Sequence, residues 1–191
     1  MRNISFKEML ETEVADLLAG YITKDREVWV ELGLQSASDE TLRRINRGHT
    51  LSDYIKCMER LHKRGIKVCT HVILGLPGEE REDFIETAKV LNEVGSEGVK
   101  IHNLHIPGGT KMAEEYLEGE ITSWSTERYM NEVEYFLRLL NPEMIIERLV
   151  CETPSHRLMA PRHFMDKSLF LRTLNDKMEK DNTRQGDLYE G

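Results

Sequence analysis

The sequence of 191 residues has few of the residues that mark secreted, membrane-spanning or metal-binding proteins. Its three cysteines, Cys57, Cys69 and Cys151, are odd in number and far apart along the chain. Because a disulfide framework needs pairs and a metal knuckle needs CxxC spacing, we expect neither and predict reduced thiols. No apolar run approaches the roughly 20 residues of a membrane span, and Met1 leads into a polar segment without the apolar region of a signal peptide. We therefore expect a cytoplasmic protein without membrane contact.

Basic residues are outnumbered, with 26 Lys and Arg against 34 Asp and Glu, and the formal net charge is −8. An acidic balance disfavours bulk binding to nucleic acid, although it leaves room for a local basic patch. Eight cations follow one another in the first half of the chain: Arg43, Arg44, Arg47, Lys56, Arg60, Lys63, Arg64 and Lys67. We interpret this run as a solvated face rather than as an RNA-binding surface.

Hydrophobic residues make up 39% of the chain, which is enough for a core in a domain of this length. Their spacing predicts strands that alternate with helices. The predicted strands cover 28–34, 66–74 and 98–104. The predicted helices are one over 6–19 with a capping box at Ser5, a helical turn over 39–45, a helix from 51 to its C-cap at Gly65 and a helix up to Gly95. Such alternation implies parallel strands, in an open α/β sheet or in an arc of a barrel.

After Pro107 the pattern changes. It predicts helices near 111–118, over 126–140 and from 163 onward, with a short apolar strand at 144–146. The residues from Asn175 are polar, and we expect them to fray.

The three predicted strands share one polar face. We assign the apolar parity of each strand to the helix layer, because a helix-covered face must be dry. The opposite parity consists of Glu31, Gly33 and Gln35, then Cys69, His71, Ile73 and Gly75, then Lys100, His102 and Leu104. A single strand Gln or His is more often structural, and a packed barrel core is rich in Val, Ile and Leu. Five polar side chains on one face instead favour a ligand cavity at the C-terminal ends of the strands.

Two other chemistries fit the sequence less well. Cys69, His71, His102 and His105 are of types that bind transition metals, but their spacing matches no zinc signature, and we predict no metal ligands. The segment 75–79 precedes a helix and could offer backbone N–H groups to an anion. It lacks the Lys of a P-loop and the spacing of a dinucleotide-binding loop.

Four motifs follow one another along the chain: ELGLQS at 31–36, LRRINRGHT at 42–50, VILGLPGE at 72–79 and LHIPGGT at 104–110. Together they resemble the radical S-adenosylmethionine (SAM) superfamily, and above all its YhcC-like group. More distantly they resemble the oxygen-independent coproporphyrinogen oxidases and the elongator-type tRNA-modifying enzymes. The combination is far more specific than any one of the motifs.

The resemblance implies an α/β fold, namely the C-terminal half of a partial (βα)6 TIM-like barrel with three parallel βα units, followed by a small α+β extension. It implies SAM and a four-iron four-sulfur cluster as the cofactors of the full-length family, which cleaves SAM reductively to a 5′-deoxyadenosyl radical. It also implies a division of this chain into a barrel half over 1–110, an auxiliary domain over 111–174 and a polar tail over 175–191.

The resemblance also implies a set of SAM-binding residues. In similar relatives a strand Gln and an Arg twelve residues later bind SAM, and two residues of this sequence have that spacing. Some relatives have a carboxylate where this chain has His71. The residues expected around SAM are Gln35 and Arg47, His71 at the ribose, Ile73 and Gly75 beside the adenine, and Leu104 and Ile106 closing that side.

One motif of the family is missing. The family holds its cluster with CxxxCxxC near the end of the first barrel strand, and no such motif occurs in these 191 residues. The three cysteines are too dispersed to replace it. The resemblance therefore implies that the strand over 28–34 is barrel strand four. The chain would then be a truncated gene product, a split subunit or a degenerate relative, and we expect it to be inactive alone.

Three hypotheses for function follow. The first is the C-terminal part of a radical SAM enzyme, which supplies part of the SAM pocket and the substrate surface. The second is a non-enzymatic binding or scaffold module derived from that fold, and the third is an RNA-binding module. The expected partner is a complementary N-terminal half, or a second copy bound through the edge of the first strand.

Overall fold

The structure is a computed structural model, and it describes residues 12–191. The capping box at Ser5 and the first part of the helix expected over 6–19 lie outside the described residues. The helices are α1 (Thr12–Ala19), α2 (Asp39–Arg44), α3 (Leu51–His62), α4 (Arg81–Glu93), α5 (Lys111–Leu117), α6 (Thr126–Leu139) and α7 (Lys167–Asp181). The strands are β1 (Trp29–Gln35), β2 (Lys67–Leu74), β3 (Gly98–Asn103), β4 (Ile106–Pro107), β5 (Ile145–Arg148) and β6 (Leu158–Ala160). None of the helices within residues 12–191 is long and apolar enough to cross a membrane.

Four strands form one parallel sheet in the order β1-β2-β3-β5. The first three are the predicted strands, and their parallel pairing is confirmed. The fourth strand was expected in the C-terminal extension, but it extends the same sheet beside β3. The sequence pattern missed this because β5 has only four residues and ends in two charged ones, Glu147 and Arg148. The division at residue 110 therefore runs between strands of one sheet, and it stays a prediction.

The helices α3, α4 and α6 cover one face of this sheet. The core that they share with the strands includes Leu32, Leu34, Val72, Val99 and Ile101 from the sheet, and Tyr54, Met58, Phe84, Leu91 and Phe136 from the helices. All of these strand residues have the parity that the sequence assigned to the helix layer. The opposite parity of β1, β2 and β3 contributes nothing to this core within the described part of the chain. Helix cover on one face only is the arrangement of a barrel arc.

Helix α3 begins where the capping sequence at Thr50 predicted it. The hydroxyl of Thr50 accepts a hydrogen bond from the backbone N–H of Asp53 at 3.2 Å, and Oδ2 of Asp53 accepts one from the N–H of Thr50 at 3.0 Å. Such a capping box stabilises a helix start by about 1 kcal/mol. The helix ends at His62, and Gly65, with a φ of +71°, lies in the turn that leads into β2.

The C-terminal residues do not fray as expected from their polarity. Helix α7 continues to Asp181, and Lys177 on it pairs with the buried carboxylate of Glu134. Another oxygen of Glu134 accepts a hydrogen bond from the Thr183 hydroxyl at 2.8 Å. Beyond the helix, the backbone N–H of Gly186 donates to the carbonyl of Leu137 at 3.1 Å. The polar side chains of the tail thus satisfy a buried acid, and for that reason the tail is ordered despite its low apolar content.

Strand β1 has one open edge. In the part of the chain that the structure describes, it pairs only with β2. An open edge presents unpaired N–H and C=O groups to other chains unless it is short, charged or covered. The edge that the sequence predicted is therefore present, and whether a partner covers it stays a prediction.

We expect the chain to associate through the β1 edge, either with itself or with a complementary half-barrel. Sedimentation velocity should show association that grows with concentration, and hydrogen–deuterium exchange of β1 amides should slow in parallel. The amides of β2 are the internal control, because that strand is paired on both sides and its exchange should not depend on concentration. A monomer at all concentrations, with fast exchange along β1, would contradict this expectation.

Candidate active site

Two of the candidate side chains meet above Gly33. A Cβ placed on Gly33 would lie 2.5 Å from Nε2 of Gln35 and 2.9 Å from Nη2 of Arg47. Nη2 of Arg47 also donates a long hydrogen bond to the carbonyl oxygen of Gly33, at 3.4 Å. The structure therefore brings Gln35 and Arg47 together at the C-terminal end of β1, where a Cβ at position 33 would push against the ends of both side chains.

The backbone of Gln35 explains how its side chain reaches this place. Its φ is +74°, in the left-handed region that is uncommon for residues other than glycine. The pairing with β2 shifts there, because Gly33 opposes His71 while Gln35 opposes Val72. A bulge of this kind re-aims a side chain, and such strain costs about 1–3 kcal/mol. Strained residues of this kind cluster at binding sites, which makes Gln35 a functional candidate on structural grounds as well.

The end of helix α2 positions Arg47. Asn46 has a φ of +56°, and the backbone N–H of Arg47 donates to the carbonyl of Leu42 at 2.8 Å. This left-handed cap turns the chain back toward β1. Within residues 12–191, Arg47 forms no ion pair with a carboxylate, and partial burial lowers the pKa of its guanidinium. A guanidinium that remains exposed and has no carboxylate partner among the described residues is available to an anionic ligand group.

His71 lies beside Gly33 on the next strand. Its Nε2 is 2.8 Å from Oε2 of Glu31, and its ring stacks on that of His102 with centroids 5.2 Å apart and planes at 25°. Burial lowers the pKa of His71, and the hydrogen bond to Glu31 opposes this shift. The structure thus places His71 next to the Gln35 and Arg47 side chains, with its ring orientation fixed by a carboxylate and a second imidazole.

The polar inner face predicted for the strands is present, and an ion pair network crosses it. The ammonium of Lys100, with the residue only 8% exposed, is 2.5 Å from Glu31 and 3.1 Å from Glu147. Glu147 belongs to β5, and the sequence did not place it here. Because two carboxylates compensate the one ammonium, Lys100 is not available to bind an anion.

Three of the apolar candidates form a cluster that begins beside the polar ones, since Ile73 opposes His102 in the register of β2 with β3. Ile73, Leu104 and Ile106 belong to one small cluster at the C-terminal ends of β2 and β3. Ile106 is fully buried, so its side chain packs inside the cluster. Gly75 has a φ of +92°, and a Cβ on it would lie 3.1 Å from the indole of Trp124. Gly75 therefore lets Trp124 pack on the strand end, a contact that the sequence did not indicate.

A buried acid joins two of the motifs. The hydroxyl of Ser36 donates a short hydrogen bond to the carboxyl group of Glu79, and the same hydroxyl accepts from the N–H of Ser38 at 3.0 Å. Glu79 is 6% exposed, and burial raises its pKa to about 7. The segment 75–79 thus contributes a side-chain hydrogen bond to the loop after Gln35, and binding of an anion by its backbone stays a prediction.

The described residues do not fit an iron–sulfur cluster. Cys57 is buried in the core between α3 and the sheet, Cys69 has the inner-face parity of β2, and Cys151 follows β5. Burial raises the pKa of Cys57 to about 11 and that of Cys69 to about 12, although cluster ligands must be thiolates. Residues 12–191 also contain no group of three or more His, Cys, Asp or Glu that could hold a metal ion.

The basic run is partly neutralised. Arg44 pairs with Glu115 at 3.4 Å, Arg64 with Asp16 at 2.5 Å, and Lys67 with Glu27 at 2.6 Å. Together with the inward turn of Arg47, these pairs break the run into separate charges.

Two sequence profiles match nearly the whole chain. One describes the radical SAM superfamily and matches residues 4–91, and the other describes the radical SAM C-terminal domain and matches residues 96–180. The chain belongs to the radical SAM superfamily. The resemblance inferred from the four motifs is therefore confirmed.

Known relatives of this radical SAM chain are longer. It is 39% identical over 180 residues to the uncharacterized protein MJ0486 of Methanocaldococcus jannaschii, which is 94% of this chain and 56% of that protein. It is 40% identical over 148 residues to protein YhcC of Escherichia coli K12, covering 78% of this chain and 48% of that protein. A tRNA-2-methylthio-N(6)-dimethylallyladenosine synthase of Dictyoglomus thermophilum is 30% identical over 154 residues, 78% of this chain and 34% of the synthase. The chain spans about half the length of the first two relatives.

Solved structures confirm the α/β fold with its parallel sheet. The archaeal Elp3 of Methanocaldococcus infernus superposes with a TM-score of 0.76 at 24% identity, over 95% of this chain and 40% of that one. Streptococcus suis SuiB bound to S-adenosylmethionine superposes with a TM-score of 0.54 at 13% identity, over 83% of this chain and 34% of that one. At these identities the likeness concerns the fold alone.

The structure adds residues that the candidate set lacked. His102 was on the predicted inner face but was not among the expected SAM contacts, and its polar parity was the signal. Glu79 stands in the VILGLPGE motif, although nothing in the motif indicates a side-chain clasp. Trp124 and Arg148 carry no signal in the sequence, because their places depend on packing and on a strand bulge.

We expect Glu79 to make stability fall as pH rises. Its pKa of about 7 in the folded protein exceeds the ordinary 4.5, so the folded chain keeps a proton that the unfolded chain loses between these values. The free energy of unfolding should therefore decrease between about pH 4.5 and about pH 7, by up to about 3 kcal/mol. Glu79→Gln should remove this slope in urea unfolding. Glu86→Gln, exposed on α4, is the control and should keep it; an unchanged slope in Glu79→Gln would refute the assignment.

Proposed function

We propose that this chain supplies the part of a radical SAM active site that holds the ribose and the carboxylate of SAM, together with a surface for the substrate. The observation that carries this proposal is the convergence of Gln35 and Arg47 above Gly33. The amide of Gln35 both donates and accepts, as ribose hydroxyls require, and the planar fork of Arg47 suits a carboxylate. The cradle that a Cβ at position 33 would fill thus has the donors and acceptors that fit SAM.

The side chains around the cradle hold and orient the ligand. The long bond from Arg47 to the Gly33 carbonyl is easily exchanged for a stronger, charge-assisted one to a ligand carboxylate. The contact between Nε2 of His71 and Glu31 leaves Nδ1 as the nitrogen that a ribose hydroxyl would meet. When bound, SAM supplies the radical chemistry of the superfamily.

The apolar cluster closes the adenine side. Ile73 is half-buried and Leu104 is 9% exposed, so Ile73 has the larger edge free to contact a purine and exclude water. Gly75 and Ile106 contribute indirectly. Gly75 leaves room for Trp124, and Ile106 packs inside the cluster.

The cluster ligands must come from outside these 191 residues. No CxxxCxxC motif is present, and the three free thiols lie on different elements of the fold. By itself the chain is therefore inactive and completes its site only with a cluster-bearing half-barrel.

We expect this chain, reconstituted anaerobically with iron and sulfide, to form no stoichiometric four-iron cluster and to make no 5′-deoxyadenosine. The reason is the lack of a thiolate triad, and the measurements are cluster absorbance, iron content and chromatography of the SAM products. Full-length YhcC, treated in parallel, controls for the reconstitution. Stoichiometric cluster absorbance with SAM cleavage by this chain would overturn the expectation.

Gly33→Ala should weaken nucleoside binding by the cradle. The new Cβ must displace the Gln35 amide and the Arg47 guanidinium, and the affinity for S-adenosylhomocysteine should fall by at least about tenfold, as the loss of one charge-assisted bond predicts. Saturation-transfer NMR measures even weak binding of this probe. Gly48→Ala is the matched control, because a Cβ there meets nothing within 4 Å. Equal binding by wild type and a folded Gly33→Ala variant would rule out the cradle as the site.

A second candidate is a binding module that keeps the nucleoside cradle without radical chemistry. It rests on the cradle alone, which can bind a nucleoside without a cluster. The two candidates differ in one outcome: addition of a cluster-bearing half-barrel should restore SAM cleavage only if the first is right.

A further inference from the structure

The last strand of the sheet carries a second guanidinium toward the inner face. Val99 opposes Ile146 and Lys100 opposes Arg148, so Glu147 is an extra residue in β5. A bulge brings neighbouring side chains to one side of a sheet. Glu147 reaches Lys100 on the inner face, and the charge of Arg148 is among the causes that lower the pKa values of His71 and His102. Because Arg148 is the register partner of Lys100, an inner-face residue, and paired residues of neighbouring strands share a face, Arg148 lies on the inner side as well.

Arg148 has no acid of its own. The structure from residue 12 to residue 191 gives it neither an ion pair nor a hydrogen bond, although Glu147 is adjacent in sequence. Glu147 is engaged with Lys100 at 3.1 Å. A half-buried guanidinium without a counter-ion is well suited to donate hydrogen bonds to an oxyanion.

His102 lies two residues after Lys100 on β3 and shares its face, so it is a diagonal neighbour of Arg148 on the inner side. Its Nε2 is shielded from solvent and has no hydrogen-bond partner among the described residues. Buried polar atoms are nearly always bonded, so such an atom calls for a partner that is absent from the chain itself. Desolvation, with smaller effects from His71 and Arg148, lowers the pKa of His102 to about 4. The ring is therefore neutral near pH 7 and can present an N–H.

Other polar groups nearby are already engaged. Nε2 of His105 is 2.8 Å from the Asn103 amide, and its Nδ1 is 2.6 Å from the Thr153 hydroxyl. The amide oxygen of Asn103 accepts from the backbone N–H of Cys151 at 3.0 Å, so its NH2 group must face His105. This closed network leaves Arg148 and His102 as the groups available to a ligand.

We propose that Arg148 and Nε2 of His102 form an oxyanion subsite for the substrate, which binds a carboxylate or a phosphate. The two unpaired guanidiniums then divide the inner face, with Arg47 at the β1 edge for SAM and Arg148 at the β5 edge for the substrate. Three strand spacings, about 14 Å, separate these edges. The assignment of this subsite to a substrate depends on the proposed function, whereas binding of an oxyanion does not.

The test is a titration of the full chain, labelled with 15N and 13C in histidine, without SAM. Inorganic phosphate and succinate are the probes, and chloride at equal ionic strength is the reference. We expect the ring signals of His102 to shift saturably with at least one probe. Arg148→Gln should weaken this binding by at least about tenfold, and Arg148→Lys, which keeps the charge, should retain part of it. Arg172→Gln, exposed on α7, should leave it unchanged.

A response to phosphate alone or to succinate alone supports the subsite and identifies the anion of the substrate. No response beyond that to chloride, or equal binding by Arg148→Gln, would overturn the proposal. Because Gly33→Ala tests the nucleoside cradle separately, loss of one site does not imply loss of the other.

Discussion

The fold depends on the one-sided cover of a parallel sheet. Helices α3, α4 and α6 bury one parity of each strand, and burial of an apolar side chain such as Leu34 or Val72 contributes about 1.5–3 kcal/mol. The stability of the chain therefore does not depend on the other parity, which is free to carry Glu31, His71 and Lys100. In a closed packed barrel such side chains would be costly to bury. Because the apolar face alone holds the strands and helices together, the opposite face can be polar and can serve as a binding surface.

Two residues other than glycine in left-handed conformations turn this surface into a site. Gln35 ends β1 in that conformation, and Asn46 ends α2 in it. The conformation of Gln35 folds its side-chain amide back over the strand. The conformation of Asn46 turns the chain so that the Arg47 guanidinium meets this amide above Gly33. The Ser36–Glu79 clasp holds the loop between them against the next motif. The strained backbone at Gln35 and Asn46, offset by the buried hydrogen bond, thus brings the Gln35 and Arg47 side chains together. Regular strand and helix geometry alone would not do so.

The sequence predicted what depends on periodicity and on local motifs. Alternation gave β1, β2 and β3 with the right buried parity, and capping chemistry gave the start of α3 at Thr50. The pairing of Gln35 with Arg47 came from resemblance, since spacing of twelve residues implies no contact by itself. Long-range effects were out of reach: β5 is too short for a periodic signal, and Trp124 packs on Gly75 from a distant loop. The ordered tail likewise depends on Glu134, a partner far away in sequence.

The cations of the inner face differ in whether a carboxylate compensates their charge, and this depends on their position in the sheet. In the middle of the sheet, the ammonium of Lys100 pairs with the carboxylates of Glu31 and Glu147, so its charge is compensated. Guanidiniums without an acid stand only at the two edges of the described sheet, Arg47 beside β1 and Arg148 on β5. An uncompensated cation that is partly removed from water, as Arg148 is, raises the energy of the empty protein, and an anionic ligand lowers it. Two anionic groups held at opposite edges would place what lies between them over His71 and His102, the stacked pair at the centre of the sheet.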